Sequence, residues 1–132
     1  MPENKQVTVA YDERTKRVVL TGGDDGKGKV TIKERNSTIQ LRFAPGTDDW
    51  QFQAVYIGRS PFSCPPVPPD PPMPEQFRIT PPLPSGAVVT IHDALTDAVE
   101  TTYHYTVGIS KGDKTVWSDP EIVNRPHVAL DG

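Results

Sequence analysis

The amino-acid sequence predicts an all-β fold in which two antiparallel sheets pack as a sandwich. Over its 132 residues, about eight or nine short runs alternate apolar and polar side chains, with the period of a strand that buries one face. Gly, Asn, Asp and Pro separate these runs, and almost no stretch has helical spacing. Many short strands divided by turns are typical of a two-sheet architecture.

The length of the chain predicts one domain, residues 1–132. Its net charge argues against nucleic acid and anionic membranes as partners. The formal net charge is -3, so the chain lacks the dense basic surface that attracts nucleic acid or an anionic membrane. No apolar run approaches the roughly 20 residues that span a bilayer. The polar N-terminus has no signal-like apolar core, and Cys64 is a single cysteine. We therefore expect a protein of the bacterial cytoplasm.

The N-terminal part is predicted to form two β-hairpins. Residues 6–11 and 17–21 alternate on either side of a polar turn, which indicates the first hairpin. Residues 29–34 and 38–43 alternate in the same way across a short turn. The second pair of runs is therefore predicted to be antiparallel as well.

The loop between these hairpins, residues 22–28, reads GGDDGKG. Its glycines and aspartates suit a tight turn, because glycine adopts positive φ and aspartate caps backbone amides. Asp24 and Asp25 could also offer oxygen ligands to calcium. The spaced acids and closing glutamate of an EF-hand loop are absent, so the turn is the favoured interpretation.

The next run, residues 50–57, is rich in aromatic side chains. Its alternate apolar residues are Trp50, Phe52, Ala54 and Tyr56. The glutamines between them favour a core-facing position for this set. A carbohydrate-binding surface would use exposed aromatics in the same pattern, so that alternative stays open.

A proline-rich crossover is predicted over residues 58–86. Eleven of the fifteen prolines lie between residues 61 and 84, where they remove amide donors and restrict pairing to a sheet edge. A brief pairing is expected at residues 78–80. This stretch is the candidate interaction surface, either as a ligand for an aromatic groove or as an arm reaching a neighbouring subunit. The alternative is a stiff connection between sheets. The residues of the candidate interaction surface are Pro61, Phe62, Pro65, Pro66, Pro68, Pro69, Pro71, Pro72, Met73 and Pro74.

The C-terminal part is organised around a long hairpin, residues 101–124. Residues 87–92 are predicted to form a strand before it, and residues 93–100 a short helical turn that connects the sheets. Pro120 interrupts the returning strand, which predicts a bend, a bulge or an edge position there. The apolar face of the first hairpin strand is formed by Tyr103, Tyr105, Val107 and Ile109.

These C-terminal residues resemble the last two strands of an immunoglobulin or fibronectin type III domain. The resemblance lies in the tyrosines at the strand start and in the segment GDKTVWSDPEI. It implies an immunoglobulin-like sandwich in which Tyr103 or Tyr105 bonds back to the preceding corner. The cysteine pair of antibody domains is missing, and the crossover is longer than usual. Asp119, Pro120 and Glu121 also resemble the bacterial DP-EP family, although no Glu-Pro dipeptide occurs.

No catalytic, cofactor-binding or metal-binding set is predicted. The three histidines, His92, His104 and His127, have no spacing that indicates a zinc site. No local motif distinguishes a nucleophile, and Cys64 has no neighbouring histidine or lysine to activate it. The sequence therefore predicts neither an enzyme nor a cofactor.

We expect a non-enzymatic binding module whose partner is another protein, with self-association at a sheet edge as one form. The first alternative is a carbohydrate-binding module that uses aromatic side chains. A small hydrolase or metal-binding protein without a sequence motif is the second. The residues of the carbohydrate alternative are Trp50, Tyr56, Tyr103 and Trp117.

Overall fold

The structure, a computed structural model, describes residues 3–47, 49–59, 73–81, 88–118 and 120–125. Within these residues the chain is all-β, and no helix among them is long and apolar enough to cross a membrane. In chain order the strands are β1 (Asn4–Asp12), β2 (Arg17–Gly22), β3 (Val30–Ile32), β4 (Ser37–Phe43), β5 (Gln51–Gly58), β6 (Phe77–Thr80), β7 (Val88–Asp93), β8 (Thr101–Lys111), β9 (Lys114–Ser118) and β10 (Glu121–Asn124).

The described strands form two sheets. The first has the order β2-β1-β4-β7-β6 and the second the order β3-β10-β8-β5, with β9 also pairing to β8. Neighbours are antiparallel except for β1 with β4 and β3 with β10. The apolar faces of both sheets contribute to one hydrophobic core. Its largest fully buried side chains include Tyr105, Phe52, Ile32, Ile39, Leu41, Ile57, Ile91, Ile109 and Ile122.

Strand β8 is the centre of the second sheet. It pairs with β5 along one side, and on the other side its first half pairs with β10 and its second half with β9. Between β9 and β10 the carbonyl of Pro120 accepts a hydrogen bond of 2.9 Å from the Tyr105 amide. The predicted hairpin over residues 101–124, interrupted at Pro120, is confirmed.

The first predicted hairpin is confirmed and the second is wrong. β1 and β2 pair antiparallel in unbroken register from Val7↔Gly22 to Asp12↔Arg17. β3 and β4, however, lie in different sheets: β3 runs parallel to β10, and β4 lies between β1 and β7. Asn36, with a φ of 58°, lies in the turn that carries the chain across. The error arises because alternation shows that a strand buries one face without identifying its partner.

The side chains of residues 50–57 that were predicted to point to the core do so at the start of β5 but not after a bulge. The register with β8 shifts between Phe52 and Ala54. One extra residue reverses which alternate side chains point inward. Val55 and Ile57 are therefore 3% and 1% exposed in the core, whereas Ala54 and Tyr56 lie on the other face.

The predicted helical turn at residues 93–100 is wrong. The Leu95 amide donates a 2.9 Å hydrogen bond to Asp93 Oδ1, and Leu95 has a φ of 56° with its side chain in the core. A positive φ is incompatible with a right-handed helix. In contrast, the predicted pairing at residues 78–80 is confirmed, because β6 pairs with β7.

Gly108 of β8 allows the indole ring of Trp117 to lie against the strand backbone. A Cβ atom at this position would lie 2.4 Å from Trp117 Cζ3. The indole also stacks on Tyr56, with ring centroids 5.7 Å apart and an interplanar angle of 22°. The absence of a side chain at Gly108 is therefore a packing requirement.

We expect Gly108→Ala to destabilise the fold by about 1–3 kcal/mol, because overpacking costs more than alanine gains over glycine in a strand. Urea unfolding measures this free energy. In a Trp117→Leu background the same substitution should cost less than half as much, since the smaller side chain leaves room for a methyl group. Equal costs in both backgrounds would show that contact with the indole is not the cause.

Candidate functional site

The sequence-predicted interaction surface is described only at its end. Its members numbered 61 to 72 lie outside the described residues, as do most of residues 58–86. Met73 is half-buried and packs against the core, and the carbonyl of Pro74 accepts a 3.0 Å hydrogen bond from the Phe77 amide. These two residues therefore help to anchor the start of β6.

The two described histidines do not converge. His92 lies on β7 with Nε2 2.8 Å from Thr80 Oγ1, and His104 lies on β8 in the other sheet, 4.0 Å from a Glu121 carboxylate oxygen. Burial, together with the charge of Arg78, lowers the pKa of His92. His127 lies outside the described residues. Among the residues that the structure describes, no three His, Cys, Asp or Glu side chains could hold a metal ion.

The four aromatic residues considered for carbohydrate binding divide into two pairs. Trp50 and Tyr103 are 7% and 3% exposed, so neither offers a ring face to a ligand. Tyr56 and Trp117 are half-buried and stacked on each other on the outer face of the second sheet. Only this second pair could contribute to a sugar-binding surface.

Five polar side chains meet at one end of the two sheets, and we call them the inter-sheet cluster. They are Gln76, Asp93, Asp97, Tyr103 and Asn124. The amide nitrogen of Asn124 lies 2.8 Å from Asp97 Oδ2, 3.2 Å from Asp93 Oδ1 and 3.2 Å from Gln76 Oε1. Since Asp93 ends β7 and Asn124 ends β10, these hydrogen bonds connect the first sheet to the second.

Tyr103 forms the predicted hydrogen bond back to the preceding corner, although its partner is a side chain. Its hydroxyl donates to Asp97 Oδ1 at 2.6 Å and accepts from Gln76 Nε2 at 2.8 Å. Burial, with the hydrogen bond and charge of Asp97, raises the pKa of Tyr103 far above its ordinary value. Tyr105 instead donates a 2.6 Å hydrogen bond to the carbonyl of Gly28.

Asp93 is the electrostatically unusual member of the cluster. Its side chain is fully buried, and Oδ1 accepts hydrogen bonds from the Leu95 amide and from Asn124. Asp93 Oδ2 and Asn124 Oδ1 have no hydrogen-bond partner in the described part of the chain. Burial, reinforced by the charge of Asp97, raises the pKa of Asp93 to about 6 against the opposing hydrogen bonds. This carboxyl group therefore changes its charge close to neutral pH.

A cavity of about 300 Å³ lies at the end of the first sheet beside Asp93, and we call it the β6–β7 cavity. Its lining residues are Asn36, Ser37, Glu75, Gln76, Arg78, His92, Asp93 and Ala94.

The cavity contains a histidine, a serine and carboxylates, but they do not form a catalytic relay. His92 and Asp93 are adjacent on a strand and so point to opposite faces. The Ser37 hydroxyl donates to the Glu34 carbonyl at 2.7 Å, and His92 interacts with Thr80. Within the described ranges, no hydrogen bond connects this serine to the histidine.

Sequence reasoning did not identify the inter-sheet cluster, although one signal was available. Asp93 continues the buried alternation of Val89 and Ile91, and Asn124 continues that of Ile122. A polar residue in phase with a buried face needs a buried partner. The alternation therefore predicts that both side chains are buried, but it does not predict that they contact each other.

No protein-family model and no curated protein matches this chain. The resemblances to the immunoglobulin, fibronectin type III and DP-EP families therefore stay predictions.

The raised pKa of Asp93 predicts stability that falls as pH rises. Because the folded-state pKa of about 6 lies above the ordinary value of 3.8, the folded protein holds this proton more tightly than the unfolded chain. The contribution of this proton to the free energy of unfolding is complete below pH 4 and is lost by pH 6 to 7. Ionisation should cost ~3 kcal/mol at about 1.4 kcal/mol for each pKa unit.

Asp93→Asn should remove this contribution and stabilise the protein at pH 8 by about 1–3 kcal/mol, because a neutral amide removes the buried charge that Asp97 disfavours. Urea unfolding at pH 4 and pH 8 measures both effects. Asp113→Asn, in the exposed β8–β9 turn, is the matched control and should retain the wild-type profile. If the difference in stability between the wild type and Asp93→Asn is the same at both pH values, the assignment is contradicted, since the carboxylates with lowered pKa values are common to both proteins.

Proposed function

We propose that this protein is a non-enzymatic binding module that associates with a second copy of itself through the edge of β2. The observation that carries this proposal is the unpaired side of that strand. Across the described residues, β2 makes backbone hydrogen bonds away from β1 only at Gly22, whose carbonyl accepts from Gly28 at 3.1 Å. β9 lies close to β2 but forms no backbone hydrogen bonds with it among the described residues, so the backbone groups from Arg17 to Thr21 are unpaired on this side and could pair with another strand.

The other described edges carry features that hinder pairing. β5 contains a bulge, β3 and β6 are three and four residues long, and β9 begins at Lys114 and ends shortly before Pro120. Short length, bulges, lysine and proline are the means by which proteins protect sheet edges. β2 has a regular register and none of these features, so its edge is not protected against pairing with another strand.

Self-pairing of β2 is compatible with its side chains. Val19 is 40% exposed, and an antiparallel two-fold arrangement centred on it places Val19 against Val19 of the second copy. Arg17 then lies opposite Thr21, so no like charges face each other. The result is one sheet continuous through both molecules.

The strand order supports an immunoglobulin-like sandwich as the scaffold of this module. The orders β1-β4-β7-β6 and β5-β8-β9/β10 correspond to the A-B-E-D and C-F-G sheets of that fold. The parallel pairing of β1 with β4 departs from an antiparallel arrangement, and β2 adds an edge beyond it. We further infer a cytoplasmic location, because a single cysteine cannot form an intrachain disulfide.

Charge substitutions at Val19 test the proposed dimer. We expect wild-type protein to dimerise in sedimentation velocity runs between ~1 and ~500 µM, and Val19→Lys or Val19→Glu to weaken dimerisation at least tenfold, by ~1.4 kcal/mol or more. Two introduced like charges would face each other at the two-fold axis. Mixing the two variants should restore a dimer, because the charges are then opposite.

Val99→Lys is the matched control. Val99 is 69% exposed and belongs to the loop between β7 and β8 and not to β2, so this variant should dimerise like the wild type. A wild-type protein that is monomeric over the whole range, or mixed variants that fail to associate, would refute pairing through β2.

The stacked Tyr56 and Trp117 favour carbohydrate binding as a second candidate function. They lie together on the outer face of the second sheet, and aromatic rings in such positions can stack on sugar rings.

Tryptophan fluorescence separates this candidate from protein association. In a Trp50→Phe variant, Trp117 is the only remaining tryptophan and reports directly on the stacked pair. A bound glycan should shift its emission in a saturable way, whereas Trp117→Phe should leave no response. Unchanged emission of the Trp50→Phe protein across a panel of plant, bacterial and animal glycans would exclude carbohydrate binding at this pair.

A further inference from the structure

Two buried acceptors of the inter-sheet cluster have no donor. The two amide hydrogens of Asn124 are shared among three oxygen atoms of its neighbours. Those of Gln76 go to Asp97 Oδ2 at 3.0 Å and to the Tyr103 hydroxyl at 2.8 Å. The Tyr103 hydroxyl hydrogen goes to Asp97 Oδ1. The side-chain donors of the cluster are therefore used, and Asp93 Oδ2 and Asn124 Oδ1 stay without a partner in the described part of the chain.

A single proton on Asp93 satisfies both of these oxygens. Asp93 Oδ1 already accepts from the Leu95 amide and from Asn124, as a carbonyl oxygen with two lone pairs does, so Oδ2 is the oxygen that carries the hydrogen. Oδ2 then becomes a donor, and Asn124 Oδ1 is the acceptor left for it. Because Asn124 Nδ2 lies 3.2 Å from Asp93 Oδ1, the new bond joins two side chains that are already in contact. Without the proton both oxygens remain buried and unpaired, which is costly.

The strands packed around Asp93 present neutral side chains to it. In the register of the first sheet Asp93 lies opposite Ser37 of β4 and Phe77 of β6. From the second sheet, β8 contributes Tyr103 and β10 contributes Asn124 to the cluster. None of these groups is a cation that would stabilise a carboxylate. Burial raises the pKa of Asp93 to about 6, which is the direction that the count of donors requires.

Charged groups around the cluster do not favour the ionised form of Asp93. The one whose charge acts on it is Asp97, and this charge is negative. Arg78 and His92 lie next to Phe77 and Asp93 along their strands and so point to the opposite face of the first sheet. The charged or titratable side chains near the cluster, apart from Asp97, are Arg59, Glu75, Arg78, His92, Glu100 and Arg125. The first three are exposed to solvent, and the last two form an ion pair.

The bond between Asp93 and Asn124 affects how firmly the end of β10 is held, because Asn124 is the last residue of that strand. The Arg125 amide, directly after it, donates a 2.8 Å hydrogen bond to the Ile32 carbonyl of β3. When the O–H bond of Asp93 breaks and the proton passes to water, the bond to Asn124 Oδ1 is lost and a buried negative charge remains. The strand end is then held less tightly to the first sheet.

We propose that Asp93 carries a proton on Oδ2 and donates it to Asn124 Oδ1, and that this bond is a pH-dependent clasp, closed in acid, between β7 and the end of β10. Strand β2 contributes no residue to the inter-sheet cluster, so the clasp does not depend on self-association through that edge.

Carbon-13 NMR of the full-length protein tests the bond. The carboxyl carbon of Asp93 should titrate with a midpoint of about 6, and the side-chain carbonyl carbon of Asn124 should shift with the same midpoint, because its oxygen loses a donor. In Asp93→Asn, which has an amide donor at every pH, the Asn124 resonance should not titrate. An Asn124 carbonyl carbon that does not respond when Asp93 titrates would overturn the assignment of the proton.

Hydrogen exchange tests the clasp, with the Arg125 amide as reporter and the Ala44 amide as its matched control. Each of these amides follows the end of a strand and donates a 2.8 Å hydrogen bond to the parallel neighbour, Arg125 to Ile32 of β3 and Ala44 to Val9 of β1. Between about pH 4 and about pH 8 the protection of Arg125, corrected for the intrinsic exchange rate, should fall about tenfold more than that of Ala44. The reason is that opening returns Asp93 to its ordinary pKa.

Asp93→Asn should keep the Arg125 amide equally protected at both pH values, whereas Asp113→Asn should behave like the wild type. His92 is retained in Asp93→Asn, so its titration cannot produce this difference. Equal falls at Arg125 and Ala44 would show a general loss of stability in place of a clasp. A fall at Arg125 that persists in Asp93→Asn would assign the effect to another group. Either result would overturn the proposal, and neither bears on dimerisation.

Discussion

Burial of two tyrosine hydroxyls on β8 is the constraint on which the two-sheet fold depends. Both rings belong to the core, and a buried hydroxyl without a partner would cost more than the packing of its ring can easily offset. Tyr103 therefore requires Asp97 and Gln76, and Tyr105 requires the carbonyl of Gly28. These bonds fix the loop before β8 and the loop before β3, so one strand positions chain segments that are far apart in sequence.

The inter-sheet cluster extends this constraint to the contact between the sheets. Asn124 holds Asp93 of the first sheet and Asp97 of the loop that leads to the second, so polar bonds complement the apolar core at this end. The arrangement leaves Asp93 buried, beside a like charge and incompletely bonded. Carboxylates in such surroundings bind protons near neutral pH, which couples the stability of the fold to its solution conditions.

The surface proposed for self-association lies at the periphery of the first sheet. β2 presents a backbone edge whose specificity would come from register and from Val19. Pairing at this edge leaves the core unchanged, so it is compatible with a rigid scaffold.

The sequence by itself determined the fold class, the first hairpin and the interruption at Pro120, because alternation, turn residues and proline act locally. It did not determine the partners of β3 and β4, since Val30 and Ile39 signal burial and not pairing. The side chain of Val55 points to the core because of a bulge, and the positive φ of Leu95 accompanies the hydrogen bond of its amide to Asp93. Neither could be read from the alternation of the sequence. Only the tertiary structure brought Asp93 to Asn124 and Tyr105 to Gly28, because such meetings depend on long-range packing that no local pattern encodes.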